Sequence, residues 1–415
     1  MRRTQIARIV ISALLVLVAL GGLVGANIYL ARHYPGGQDF LVHWAGARAF
    51  LFENTSPYDE EVGRDIQTRI YGRPAAEGEY PFRLDDPLYI LVFFFPFALI
   101  PDFAVARGLW MMTLEIALAG LAFLALRLAD WRPRRSLFIA FLLFALLWFY
   151  GAYPLFAGDT AILVALLFAG ILLALRARRD DLAGLLLAFT TFKWEVTAIF
   201  LLAVAIWVLS RRRWRVIVVL SMTLAVLLVT MSLALPGWPL PFYRSVVANV
   251  RADGGLTPGA IFIHWWPKIG DKLGWALTIL LALTLFLEWR AARASDFRRF
   301  YWTLCLTLAV APLLGIPTTP ANFTAFLLPL TFILAVMAER WLRLGLWLNV
   351  AVLLLVFIGP WVLFWRAMNV TLHSLDIMTF LPVPLFLLIA LYWLRWWAIR
   401  PSRTWLDGIN QDRLR

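Results

Sequence analysis

Asp39 follows Gly36-Gly37-Gln38 and precedes Phe40, Trp44 and Ala47, which give a helix an apolar face to dock. A carboxylate partly desolvated at a membrane surface can carry a raised pKa and serve as a general base. The same spacing suits the N-cap of a helix starting at Phe40, and on spacing alone that reading leads. A second constellation is Lys193-Trp194-Glu195, set within an otherwise apolar stretch. Ionisable groups at such depth are costly and normally face an interior or a cavity. Lys193 there is a cation for a phosphate. The competing reading is a structural Lys–Glu pair at a helix break, which apolar packing could replace. Asp85-Asp86-Pro87 offers adjacent carboxylates that could hold a metal or share a proton. The commoner use of Asp before Pro is a turn or cap. Gly158-Asp159-Thr160 reads as the cap of a helix from Ala161, and His264 with Trp265-Trp266 as an interfacial aromatic belt.

The elements that must hold these residues follow from composition. The chain has 415 residues, 62% hydrophobic and 15% charged, against roughly 45–50% and about 25% in soluble domains. A soluble enzyme and a disordered chain are excluded, and the class is an all-α polytopic membrane protein. The net charge of +13 comes from short arginine-rich clusters between apolar runs, at 132–135, 176–179, 211–215, 290–299, 340–343 and 395–403. That is a positive-inside pattern, so the charge reports topology and not a nucleic-acid partner. Arg2, Arg3 and Arg8 before Ile9 to Leu30 resemble a signal peptide, but the long apolar stretch and the spans that follow argue for a retained first helix. The lone Cys305 sits in an apolar segment and is expected to pack.

Apolar segments run over 103–128, 136–152, 159–176, 182–210, 214–236, 273–289, 300–314, 323–339, 344–366 and 381–399. Segment 182–210 has basic flanks at both ends and charges in its middle, which fits two half-helices rising and returning. Segment 88–100 must dip and return, or the sides of later loops invert. The count is about eleven to thirteen helices including half-helices, with both termini cytoplasmic. A structured outer loop spans 33–86, within which Asp39 to Phe52 is expected to form a short amphipathic helix on the membrane. The polar residues outside the arginine clusters then gather on the outer side. They include His33, His43, Tyr80, Asp253, Lys268, Asp271, Thr318, Thr319, Asn322, His373 and Asp376, besides those named above. All four histidines and all three lysines fall there, as a reaction site requires. No zinc spacing, P-loop, nucleophile elbow or dinucleotide loop is present. Sequons at Asn54, Asn322 and Asn369 carry no weight.

A set of short motifs recurs in order: Gly37-Gln38-Asp39-Phe40 with Trp44 and Ala47; Ser56-Pro57-Tyr58; Tyr80-Pro81; and Pro87-Leu88 leading to Phe95-Pro96-Phe97-Ala98-Leu99-Ile100-Pro101. Gly158-Asp159 then opens a helix, Ala183-Gly184 leads to Lys193 and on to Arg211-Arg212-Arg213-Trp214-Arg215, and Ala311-Pro312 leads to Pro320. In these the chain resembles glycosyltransferase family 87 of the GT-C superfamily, the polyprenyl-phosphate-mannose-dependent mannosyltransferases. The resemblance is good over the first half and looser over the second. It implies a GT-C-type bundle in a single domain 1–415, with a catalytic module at 1–240 and variable helices at 241–415. It implies inverting transfer of a sugar, mannose favoured, from a polyprenyl-phosphate carrier to a lipid-linked or cell-envelope hydroxyl on the outer face of the cell membrane. Asp39 matches the family's general base and Lys193 its lysine in the broken helix. Lys193 with Arg83 would bind the donor phosphate. Trp44, Arg48, Tyr58, Asp85, Asp86, Tyr153, Asp159, Glu195 and His264 would line the substrates. The chain departs from the family at Gly158-Asp159, where Gly-Gln is usual, and at Leu84-Asp85-Asp86-Pro87, where an aromatic Tyr-Pro-Pro is usual.

The implied partners are the sugar donor, a lipid or glycan acceptor and membrane lipids. No cofactor is expected, with a divalent metal left open at Asp85 and Asp86. The rival class is a transporter, since broken helices and midplane charges serve transport too. Against it stand the absence of an inverted repeat and a polar loop confined to one side. A lipid-linked glycan ligase or polymerase would share the donor lipid, and a structural scaffold would not need Lys193 and Glu195.

Overall fold

The computed structural model describes residues 2–77, 79–253, 256–293, 295–368 and 379–399. His373, Asp376, Asn369 and the tail beyond Ile399 lie outside the described residues. The fold is 81% helical. The nearest approach to a sheet among the described residues is an isolated antiparallel bridge between Leu256 and Thr318. Among the described residues, six helices are long and apolar enough to cross a membrane: Phe103–Leu128, Trp214–Ala234, Gly270–Ala292, Pro320–Trp341, Leu344–Arg366 and Pro382–Ile399. A seventh results if Arg135–Leu147 and Phe149–Ala157 form one span. The chain is an all-α polytopic membrane protein.

The chain divides into two compact units. The first comprises Met1–Ala117, Tyr153–Thr160 and Val229–Asp253. It holds the helix Arg2–His33, the helix Gln38–Arg48 continuing as a π turn over Ala49–Glu53, and the helices Glu60–Tyr71 and Pro239–Asp253. Between the outer loop and the first long span lie only a 3-10 turn, Leu88–Phe93, and the four-residue helix Phe95–Ala98, with Pro96 in its first turn. Segment 88–100 therefore does not cross as a helix. The expected surface helix at Asp39 to Phe52 is corrected. Every residue from Phe40 to Ala47 is buried. Phe40 packs against Phe94, Phe97 and Trp110, and Gly46 lies against Pro57 and Leu84. An amphipathic helix on a membrane keeps one polar face wet; this one is enclosed on all sides.

The second unit comprises Leu118–Ala152, Ala161–Leu228 and Gly254–Arg415. Its centre is Phe297–Val310, buried continuously from Phe300 to Val310, Cys305 included. The span Pro320–Trp341 is 94% buried whereas Trp214–Ala234 is 11% buried, so the former is core and the latter is left for lipid. Leu327–Met368 is not one straight rod. Asn349 Nδ2 donates to the Leu334 carbonyl at 3.0 Å although the two are fifteen residues apart, a separation of about 22 Å along a straight helix. The chain folds back between them, which yields two spans. The break expected within 182–210 is present, between Asp180–Thr190 and Trp194–Ser210. Backbone interrupted at membrane depth must satisfy its polar groups internally. Thr190 and Thr191 hydroxyls donate to the Leu187 and Ala188 carbonyls, and Thr197 Oγ1 donates across the break to the Thr190 carbonyl at 2.7 Å. The lower ends are tied by Arg213 to Asp180 and Arg215 to Asp181. The stretch 240–272, unassigned from sequence, folds largely into the helices Pro239–Asp253 and Pro258–Trp265.

Candidate active site

Asp39 is half-buried in the first turn of Gln38–Arg48. It is not the N-cap: Gly37 is, with φ 76°. The left-handed backbone at Gly37 lets the chain turn sharply into the helix. It also lies directly on a side chain, since a Cβ at Gly37 would stand 2.6 Å from Arg107 Nε. Arg107 is 2% exposed within the Phe103–Leu128 span. Its guanidinium donates to the carbonyls of Tyr34 and Phe156, and Phe156 also accepts the Gly37 N–H. A buried arginine thus holds the entry to the Asp39 helix. The far side of that entry is closed by Gly158 (φ 77°), where a Cβ would meet Phe40 Cβ at 2.5 Å. The Gly158 carbonyl accepts from the Trp110 indole. The positive end of the helix dipole favours an anionic side chain at the Asp39 position.

One turn further on, His43 joins this helix to the Asp85-Asp86 loop. Its Nε2 lies 2.7 Å from Asp86 Oδ2, and its Nδ1 lies 2.6 Å from the Asp39 carbonyl. Both partners are acceptors, so the arrangement calls for an imidazolium with both ring nitrogens donating. Burial opposes that charge, but the hydrogen bond and charge of Asp86, with lesser help from Asp39, outweigh it and raise the pKa above the usual 6.5. The ring stacks on Phe94 at 4.4 Å. Asp86 also fixes Tyr58, whose hydroxyl donates to the Asp86 carbonyl at 2.8 Å. Tyr58 stacks on Trp238, and burial together with the Asp86 and Asp85 charges raises its pKa. The Arg83 carbonyl accepts from Asn249 Nδ2, and Arg83 Nη2 stands 3.8 Å from Glu60 Oε1. The first unit therefore brings together Asp39, His43, Tyr58 and Asp86, with Asp85 and Arg83 on the same short loop.

In the second unit, Lys193 is the residue at which the broken helix resumes. Its Nζ stands 3.7 Å from Glu195 Oε1, and both side chains are mostly buried. The same Glu195 oxygen is approached by Asn322 Nδ2 at 3.5 Å, and that amide also donates to Thr318 Oγ1 at 2.9 Å. Glu195, Thr318 and Asn322 line a small recess together with Pro312, Phe323 and Phe326.

Other expected site residues lie elsewhere or face inward. Trp44 is 3% exposed and donates to the Phe97 carbonyl. It packs the Asp39 helix and offers no open ring face. Arg48 donates to the Ala98 carbonyl and lies over Trp44. Asp159 is buried beside Gly158, whereas Tyr153 is 38% exposed. His264 is exposed in the last turn of Pro258–Trp265. Sequence reasoning passed over three residues. His43 was grouped with the outer polar residues without its partner. Arg107 carried a usable signal, a lone arginine inside an apolar span. Asn322 stands in the sequence as one of the outer polar residues and as a sequon, with nothing to name Glu195 as its partner. Among the described residues, no group of three or more His, Cys, Asp or Glu side chains is close enough to hold a metal.

The model of glycosyltransferase family 87 matches residues 86–317 of the chain. No curated protein and no solved structure matches it.

Proposed function

The chain belongs to glycosyltransferase family 87 and is a membrane glycosyltransferase, and on that premise we propose that it moves a hexose, mannose favoured, from a polyprenyl-phosphate carrier to a hydroxyl of a lipid-linked or cell-envelope acceptor. The observation that carries this reading is Asp39, a half-buried carboxylate at a helix start held by Arg107 on one side and by the His43–Asp86 pair on the other. Asp39 takes the proton of the acceptor hydroxyl. The freed oxygen attacks the anomeric carbon opposite the phosphate, and the bond from that carbon to the phosphate oxygen breaks. The electron pair leaves with the polyprenyl phosphate, the proton stays on Asp39, and the anomeric configuration inverts. Lys193 supports the charge that builds on the departing phosphate, with Arg83 as a second cation.

The arginine clusters favour cytoplasmic termini and a reaction on the outer face. Protein side chains carry each step of the proposed reaction, without a cofactor. The remaining substrate-lining roles fall to Asp85, Tyr153, Glu195 and the exposed His264, while the buried Trp44, Tyr58 and Asp159 and the half-buried Arg48 shape the site from behind.

The test is transfer by the purified protein in lipid, offered radiolabelled polyprenyl-phosphate mannose, glucose and arabinose in parallel with a cell-envelope lipid extract. Label entering a new lipid with wild type and not with Asp39→Asn supports the reading. Absence of transfer from every donor overturns it.

A further inference from the structure

One face of the Phe103–Leu128 span holds the residues on either side of Asp39. Arg107 lies under the turn that precedes it. A Cβ at Gly36 would stand 2.6 Å from Arg107 Nη2, and one at Gly37 would stand 2.6 Å from Nε and 2.7 Å from Cδ. The flat guanidinium and its stem are the floor on which both glycines rest. Trp110, one turn along the span, holds the residue that follows Asp39. Its ring stacks on Phe40 at 5.7 Å and 18°, and its indole donates to the Gly158 carbonyl at 2.9 Å. The same span is packed tightly on the first helix, where a Cβ at Gly108 would meet Ile28 Cγ1 at 2.6 Å.

Among the described residues no carboxylate pairs with Arg107. Its guanidinium donates instead to the Tyr34 carbonyl at 3.0 Å and to the Phe156 carbonyl at 3.4 Å. Both carbonyls end helices. Tyr34 directly follows Arg2–His33, and Phe156 is in the last turn of Phe149–Ala157. Terminal carbonyls lack helical partners and carry the negative end of the helix dipole. The buried cation is therefore compensated by two helix ends. A planar fork can bridge both, whereas a lysine is a point charge on a flexible stem. The Phe156 carbonyl also accepts the Gly37 N–H at 2.9 Å, and the Gly37 carbonyl accepts the Leu41 N–H at 2.8 Å. Arg107, the two helix ends and the first hydrogen bond of the Asp39 helix form one connected set.

We infer that Arg107 is a positioning residue of the transfer reaction, and that its fork onto the Tyr34 and Phe156 carbonyls sets where Asp39 stands. The inference rests on the reading above of Asp39 as the base. Asp39 follows Gly37 by two residues, in the first turn of Gln38–Arg48, so a shift of the glycine turn carries the carboxylate with it. A displacement of about 1 Å in a reacting group can cost about 10²-fold in rate. Arg107 acts through the backbone it supports and not by touching a substrate.

The experiment measures transfer by the full-length protein in nanodiscs, with radiolabelled polyprenyl-phosphate mannose, glucose and arabinose as donors and a cell-envelope lipid extract as acceptor. Arg107→Lys keeps a cation at the two helix ends and loses the fork. Its kcat is expected to fall at least tenfold, with donor KM within twofold of wild type and an unchanged melting curve. In an Asp39→Asn background the same substitution is expected to cost less than twofold, because the group it positions is already gone. Gly37→Ala, whose methyl would stand 2.6 Å from Arg107 Nε, disturbs the contact from the other side. It is expected to show the same split between kcat and KM, and it decides the matter if Arg107→Lys does not fold. A kcat within twofold of wild type, or an equal fold-loss with and without Asp39, overturns the Arg107 proposal and leaves the base reading standing. Near-normal turnover by Asp39→Asn overturns the base reading and the Arg107 proposal with it. Absence of transfer by wild type from every donor overturns the donor reading and both.

Discussion

His43 and Asp86 form a buried ion pair, 2.7 Å from Nε2 to Oδ2, across 43 residues of sequence. The other ring nitrogen of His43 is held by the Asp39 carbonyl. The helix that presents Asp39 and the loop that presents Asp85 and Asp86 are thus fastened by one side chain.

The pair makes stability depend on pH. The His43 pKa is raised in the fold, so its contribution is fully present below the ordinary value of 6.5 and is lost as pH rises through the folded value. The thermal midpoint of wild type should fall as pH is raised from about 6 toward 9, and His43→Gln should show a flatter profile. Breaking one side of a buried pair costs roughly 3–5 kcal/mol. His43→Ala is therefore expected to lower the midpoint at pH 6 more than at pH 9. Equal losses at both would argue against a charged imidazole.

Asp39→Asn should retain the fold and lose activity. The side chain is half-buried, and the N-cap of its helix is Gly37. A positioned general base contributes typically 10²–10⁴-fold. Turnover measured in lipid should drop by about that factor, with an unchanged melting curve. Near-normal turnover would remove Asp39 from the reaction.

Gly158→Ala should be costly at a distance from any substrate. The new methyl would meet Phe40 Cβ at 2.5 Å on a backbone with φ 77°. Overpacking and left-handed strain each cost about 1–3 kcal/mol. A lower thermal midpoint is expected, and because Phe40 adjoins Asp39, kcat should fall more than donor KM rises.

Thr197→Val tests how the broken helix is held open beside Lys193. The substitution removes the hydroxyl that donates to the Thr190 carbonyl and leaves that acceptor only the longer bond from the Lys193 N–H, at 3.3 Å. A loss of about 0.5–1.5 kcal/mol is expected. Weaker binding of polyprenyl phosphate should accompany it if the break positions Lys193; a stability loss with unchanged binding would confine Thr197 to the fold.

The class of the molecule was legible because it is written locally. Apolar runs of span length, divided by arginine clusters, place Phe103–Leu128, Trp214–Ala234 and Pro382–Ile399 within a few residues of where they stand. Lys193 between basic flanks implied a broken helix, and Asp180–Thr190 with Trp194–Ser210 is that break. The family too was legible, from motifs in order along the chain.

Partnership was not. Nothing near His43 in the chain names Asp86, nothing near Gly37 names Arg107, and Asn322 lies 127 residues from Glu195. Nor could periodicity show that the helix at Asp39 is enclosed from Phe40 to Ala47, since its residues were apolar enough for a membrane surface or a core alike. Hydropathy and cap chemistry act between neighbours in sequence, and so the sequence by itself determined the spans, the break and the presence of Asp39 and Lys193. Which buried donor meets which acceptor depends on how distant helices pack. Only the tertiary structure decided that Gly37 lies on Arg107, that His43 joins the Asp39 carbonyl to Asp86, and that the Asn322 amide meets Glu195.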